Sequence, residues 1–265
     1  MELGNPIDFT GRVAIVTGGT QGIGTVIAEA FLAAGAEVMV CARTTPPTLP
    51  SSDGRDAAFH STDIRDPAAG AHLVAATAEQ FGRLDILVNN AGGSPDADAA
   101  TALPRFIEKV VALNLLAPFY VAQAANLVMR EQPEGGAVIN IGSVSAHDPQ
   151  PGTAAYSAAK AGLLGLTRAL ALEWAPKVRV NHITAGPIRT ASATELYGED
   201  GGAAVAGIVP MGRLAVPADV AHACLWLAGP HASYVNGADL AVHGGGEIPA
   251  RDLARRAPRP PFSSP

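Results

Sequence analysis

The stretch Tyr156-Ser157-Ala158-Ala159-Lys160 sits inside a long Ala/Leu-rich run. On a helix, residues four apart share a face, so Tyr156 and Lys160 point the same way. A phenol is a weak acid with an ordinary pKa of about 10. A cation one turn away favours the phenolate and brings the phenol's acid/base chemistry nearer neutral pH. The same pair is also a common pattern of half-buried packing beside a solvated charge. Its meaning comes from its company upstream: a glycine-rich turn, the segment Asn89-Asn90-Ala91-Gly92, Asn114 and Ser143.

The glycine turn, Gly18-Gly19-Thr20-Gln21-Gly22-Ile23-Gly24, follows the β-branched run Val13–Thr17 and opens an apolar helical pattern that stops at Gly35. A diphosphate needs that combination, because it must approach the backbone over a helix N-terminus, where free N–H groups and the helix dipole favour anions. The spacing Gly18-x-x-x-Gly22-x-Gly24 departs from the common G-x-G-x-x-G form.

The elements that position these residues are read from hydrophobic periodicity. Strands are expected at Val13–Thr17, Glu37–Ala42, Ala57–His60, Leu84–Asn89, Ala137–Ile141, Val178–Ile183 and Asp239–Val242. Helices are expected at Pro67–Phe81, Leu103–Arg130, Thr153–Trp174 and Pro217–Ala228, besides the one after the glycine turn. The three prolines of residues 43–54 predict a loop, and residues 184–209 show no clear period. Alternating strands and helices imply an α/β fold, a single-domain, Rossmann-type, doubly wound parallel sheet with helices on both faces. Ligands then bind at the carboxyl ends of the strands, where the glycine turn, Asn90, Ser143 and the Gly186 region all fall. Residues 1–246 are expected as the catalytic domain and the Pro/Arg-rich residues 247–265 as a poorly ordered tail.

Composition narrows the function classes. The chain has 265 residues, 48% hydrophobic and 16% charged, enough for one large core. A net charge of −6 with no basic block outside the last residues argues against nucleic-acid binding. Cys41 and Cys224 lie far apart in apolar runs and read as small buried hydrophobes in a reducing compartment. The seven histidines are scattered, with no pair at ligand spacing, so no metal is expected. No signal core and no uninterrupted membrane-length apolar run is present, so a cytoplasmic protein acting on a small molecule is expected, with neither membrane nor nucleic acid as partner.

Taken together, these motifs resemble the short-chain dehydrogenase/reductase family, in the broad group that includes 3-oxoacyl-carrier-protein reductases. The resemblance covers residues 8–246 and includes Pro210-Met211-Gly212-Arg213 and Gly237–Gly245. It implies that Asn114, Ser143, Tyr156 and Lys160 are a catalytic tetrad. Tyr156 would exchange the proton of a carbonyl or hydroxyl oxygen, and Lys160 would depress the phenol pKa and bind the nicotinamide ribose. Ser143 would stabilise the substrate oxygen, and Asn114 would hold a water behind Lys160. Ser143 could instead simply end a strand, and Asn114 could be an isolated polar residue of a helix.

For the cofactor, the resemblance implies contacts from Gly18, Thr20, Gln21, Gly22, Ile23 and Gly24, and from Asn90, Ala91 and Gly92. Asp63 and Ile64 would clasp the adenine, while Gly186, Pro187, Ile188 and Thr190 would line the nicotinamide. Ala185 stands where the family usually has proline, which could loosen that turn. NAD enzymes usually place an acid after the second strand; here Ala42 is neutral and Arg43 follows, which favours NADP(H), with NAD(H) the alternative. Residues 187–210 would form a mobile substrate lid containing Tyr197, and His147 and Gln150 could face substrate or lie in a surface loop. The expected reaction is hydride transfer between NADP(H) and a ketone or secondary alcohol, in a homotetramer or homodimer. The rivals are an NAD-linked sugar, polyol or sterol alcohol dehydrogenase and a non-catalytic nucleotide-binding or scaffold protein.

Overall fold

A computed structural model describes residues 7–191 and 197–256. Seven parallel strands form one sheet: β1 (Val13–Thr17), β2 (Glu37–Ala42), β5 (Ala58–Ser61), β6 (Ile86–Asn89), β7 (Gly136–Ile141), β8 (Val178–Ala185) and β9 (Asp239–Val242). Their order across the sheet is β5-β2-β1-β6-β7-β8-β9. The order reverses at β1, which pairs with β2 on one side and β6 on the other. Such a switch point opens a crevice at the carboxyl ends of its strands.

Alternation along the buried strands divides the core in two. Ala14, Val16, Val38, Val40, Val88 and Ile183 face α1 (Gly22–Ala33) and the helix Pro217–Ala228, packing on Ile27, Phe31, Val220, Cys224 and Leu227. Val13, Ile15, Met39, Leu87, Val138 and Val180 face the other way. They meet Leu73 of α2 (Pro67–Phe81), Val121, Ala125 and Met129 of α4 (Ala117–Met129) and Leu170 of α5 (Ala154–Trp174). Burying each Val, Leu, Ile, Phe or Met side chain among them contributes roughly 1.5–3 kcal/mol. Both cysteines are buried and free, with thiol pKa values raised by burial, Cys41 to about 11.

Four expectations need correction. The helix predicted over 103–130 begins as α3 (Pro104–Val111), passes through a π turn at Ala112–Leu116 and continues as α4. Pro118 is the cause: it lacks the N–H that would bond the carbonyl of Asn114, and its ring would strike that carbonyl in a regular helix. By length and composition alone this helical stretch, Pro104–Met129, is apolar enough to cross a membrane, but here Ala117, Val121, Ala122, Ala125 and Met129 are buried in the core. The Pro-rich loop contains a small antiparallel hairpin, β3 (Ser51–Ser52) with β4 (Arg55–Asp56). Strand β8 runs on to Ala185, which pairs with Val242, so alanine in the proline position extends the sheet rather than loosening the turn. In the tail, α8 (Ala250–Arg256) is helical, and residues 257–265 lie outside the described residues. The short α6 (Ala203–Ile208) follows the lid segment, whose residues 192–196 also lie outside the described residues, and α7 is Pro217–Ala228.

Candidate active site

At the switch point a groove of about 880 Å³ is lined by Gly18, Thr20–Gly24, Ala42–Thr44, Thr62–Arg65, Asn90–Gly92, Leu113, Thr190 and Ala191. Its floor is locked by side chains. Asn90 Nδ2 donates to the carbonyls of Thr17 (2.9 Å) and Gly18 (3.2 Å). Thr17 Oγ1 accepts from the backbone N–H groups of Asn90 (3.0 Å) and Ala91 (3.1 Å). The carboxyl ends of β1 and β6 are thereby held in one geometry.

The groove suits a dinucleotide in three respects. Gly18 has φ +63°, and a Cβ there would lie 3.0 Å from Ala91 Cα. A Cβ on Gly24 would come 2.3 Å from the Gly18 carbonyl oxygen. Only glycine lets the helix start so close to the strand. At the N-terminus of α1, Gln21 makes no side-chain cap bond and no acid occupies the first turn, so the end of the helix remains an anion site.

At the far end of the groove, Asn114 is fully buried in the π turn. Its Oδ1 accepts from Gly93 N (2.9 Å), and its Nδ2 donates to the carbonyls of Gly93 (3.0 Å) and Val110 (2.9 Å). A Cβ on Gly92 would lie 2.8 Å from Asn114 Oδ1 and 3.2 Å from Lys160 Nζ, so the groove runs directly onto the lysine. Lys160 is 4% exposed and donates to the carbonyl of Ile141 at 2.8 Å. Burial lowers its pKa to about 8. Its Nζ lies 5.6 Å from the centre of the Tyr156 ring.

The expected depression of the Tyr156 pKa by Lys160 is not what this geometry produces. Burial of the phenol is the larger effect and raises its pKa above the ordinary value, while the Ser143 hydroxyl pulls it down and Tyr197 pushes it up. Lys160 Nζ donates one N–H to the Ile141 carbonyl and stands 5.6 Å from the centre of the phenol ring. Tyr156 is therefore a phenol at neutral pH. Ser143, leaving β7, also caps the short 3-10 turn Val144–Ala146, its Oγ accepting from Ser145 N at 3.1 Å.

The structure thus brings Asn114, Ser143, Tyr156 and Lys160 to one end of the groove. Ile188 is buried, and its N–H donates to the Tyr197 hydroxyl at 3.1 Å, so the lid tyrosine touches the segment after β8. A Cβ on Gly186 would meet His243 Cα at 2.7 Å, and the Pro187 carbonyl accepts from Ala215 N at 3.0 Å. His147 Nε2 lies 2.8 Å from Asp239 Oδ2, and Gln150 is exposed, its amide donating to Glu247 at 3.2 Å.

Two features escaped the sequence. Asp63, expected to accept from an adenine amino group, is held by Arg65: Nε donates to Oδ1 (2.9 Å) and Oδ2 (3.1 Å), and a second nitrogen to Oδ2. The guanidinium holds the Asp63 carboxyl below the usual carboxylate range, with Arg43 adding to the effect. Because β2 and β5 are paired, with Ala42 opposite Ser61, a cation following each strand reaches the same wall of the groove. The available signal for Arg65 was its place two residues after Asp63. The second feature is the set of side chains around Asp239, for which spacing in the sequence holds no sign.

The family model described as enoyl-(acyl carrier protein) reductase matches residues 18–247. The chain belongs to the short-chain dehydrogenase/reductase family. It is 34% identical to the 3-oxoacyl-(acyl-carrier-protein) reductase FabG of Escherichia coli, over 90% of this chain and 98% of the relative. It is 35% identical to the D-threitol dehydrogenase of Mycolicibacterium smegmatis, over 92% of this chain and 96% of the relative. A double variant of a Serratia marcescens short-chain dehydrogenase/reductase superposes with a TM-score of 0.82 at 31% identity, covering 89% of this chain and 98% of that one. The chain is accordingly an oxidoreductase of CH–OH and carbonyl groups that uses a nicotinamide cofactor, as its family does.

Proposed function

We propose that this protein reduces a ketone, or oxidises the corresponding secondary alcohol, with NADP(H). The observation that carries the reading is the cationic wall at the adenosine end of the groove. Arg43 follows the neutral Ala42, and Arg65 neutralises Asp63, the acid in that part of the groove lining. A 2′-phosphate meets the Arg43 guanidinium there, beside an Arg65 already paired to Asp63, whereas a ribose diol finds no unpaired carboxylate among the described residues of the lining.

The chain's own residues supply the rest. The N–H groups of Gly22–Gly24 would hold the cofactor's diphosphate, with the Gly18 backbone fixed beside them by Asn90. Asp63, Ile64 and Thr62 border the adenine. Gly186, Pro187, Ile188 and Thr190 border the nicotinamide, with Lys160 on its ribose. When bound, the cofactor supplies or accepts the hydride. Tyr156, a phenol at neutral pH, donates its proton to the carbonyl oxygen during reduction and takes it back from the alcohol during oxidation. The Ser143 hydroxyl, beside the phenol, donates to the same oxygen as charge develops on it. Cationic Lys160 stabilises the tyrosinate left behind. The side chain of Asn114 is fully engaged by Gly93 and Val110, which leaves its carbonyl, denied a partner at Pro118, as the atom to hold a relay water.

FabG relatives support carbonyl reduction as the direction, and the D-threitol dehydrogenase relative supports a second reading, oxidation of a polyol. Fluorescence titration with NADPH and NADH tests the cofactor. NADPH should bind at least about tenfold more tightly. Arg43→Ala should erase most of that preference. Equal affinities in the wild type, or a preference unmoved in the variant, would overturn the reading.

A further inference from the structure

Beyond the tetrad, a heavily engaged, half-buried carboxylate near the site is Asp239, the first residue of the edge strand β9. Its Oδ1 accepts from Thr184 Oγ1 (2.6 Å) and lies 2.8 Å from His182 Nδ1, and its Oδ2 lies 2.8 Å from His147 Nε2. Burial works against its ionisation. The bonds from Thr184, His182 and His147 together outweigh that cost and hold the carboxyl below the usual range. Three elements converge on it: β9, β8, and the turn that leaves β7 with Ser143.

His182 is 0% exposed, and burial, with the nearby charges of Lys160 and His147, keeps its imidazole neutral despite Asp239. A neutral ring with Nδ1–H directed at a carboxylate has a bare Nε2, and this Nε2 is buried without a partner. It faces Gly142: a Cβ there would lie 2.0 Å from it. The Gly142 N–H donates to Ile183 O at 2.8 Å, and Lys160 holds the preceding carbonyl of Ile141. His182 thus forms the seat under the residue before Ser143, and His147 ties down the chain four residues after Ser143.

We infer that Asp239 is a positioning residue for Ser143, fixing its turn from both sides through His182 and His147. The inference rests on the proposed role of Ser143 at the substrate oxygen. An oxyanion donor loses its worth when its placement slips by an ångström, so the effect belongs to turnover rather than to dinucleotide binding.

The test compares Asp239→Ala and His147→Ala with Asn236→Ala. Asn236 also ties the approach to β9 onto β8, through Val180 N, but does not touch the Ser143 turn. With NADPH and ethyl acetoacetate as the probe ketone, Asp239→Ala and His147→Ala should lower kcat by about tenfold or more. Their NADPH Kd should stay within about twofold, and Asn236→Ala should keep kcat within about twofold. The His147 side chain is 43% exposed, so its variant is expected to fold even where Asp239→Ala does not. Backbone amide NMR reads the same effect without a substrate: the signals of Ser143 and Ser145 should move in the first two variants and stay in the third. Unmoved amide signals, or a kcat loss shared equally by Asn236→Ala, would overturn the inference. A wild-type protein that binds NADPH and reduces no ketone would overturn the proposed reduction instead, and the NMR comparison would still decide the role of Asp239.

Discussion

Tyr156 and Lys160 show how far a pair of side chains departs from its solution chemistry once buried. The phenol is pushed up and the ammonium down, both by burial. The pair therefore starts reduction in its working form, neutral phenol beside cation. Lys160 is charged below about pH 8 and loses its charge as the pH rises through that value. The tyrosinate formed on proton donation is then left without its cation. The rate of ketone reduction should fall above about pH 8, and a profile flat across about pH 7 to 10 would contradict this. Tyr156→Phe should remove turnover while leaving NADPH affinity within about twofold; normal activity in that variant would refute the assigned role. The tetrad residues were legible from the sequence because their types, order and spacing carry chemistry. The Asp239 set was not, because the fold brings its partners together across 55 to 92 positions, and the two-residue spacing of Asp63 and Arg65 does not by itself say that the side chains pair.

At the scale of elements, strands, helices and most boundaries follow from periodicity, since the central strands β1, β6, β7 and β8 are buried almost throughout and the longer helices bury one side against the sheet. Pro67–Phe81, Pro217–Ala228 and Asp239–Val242 fall where the pattern puts them. The π turn was missed because it has the composition of a helix; its cause is a single proline acting four residues upstream. The glycine turn shows the opposite case, where one atom decides an element. A methyl at Gly24 would sit 2.3 Å from the Gly18 carbonyl oxygen, so α1 would have to withdraw from β1. Gly24→Ala should cost about 1–3 kcal/mol in denaturant unfolding and weaken NADPH binding. Unchanged stability together with unchanged affinity would mean that helix and strand are not in this close register.

For the whole molecule, several exposed apolar side chains lie on the helices that carry residues of the tetrad. Leu116 and Leu127 lie along the π turn and α4, and Leu172 of α5 is 84% exposed. Single exposed leucines are ordinary, but several on the helices that carry Asn114 and Tyr156 are consistent with the family's self-association through those helices. Light scattering should give a dimer or tetramer mass, and Leu127→Glu with Leu172→Glu should lower it; a monomeric wild type would refute the expectation. The sequence pointed to this only through family resemblance, because exposure depends on which stripe the sheet claims.

The central place of β1 has a further consequence during synthesis. All five residues of Val13–Thr17 are buried in the finished sheet, yet one edge of the strand waits for Ile86–Val88, more than seventy residues later. A chain leaving the ribosome therefore carries an open, apolar strand edge until β6 has emerged and Asn90 can close on Thr17. The same connection that creates the crevice makes the first ninety residues a nascent segment that cannot shelter itself, and it is there that a holdase would find its binding site.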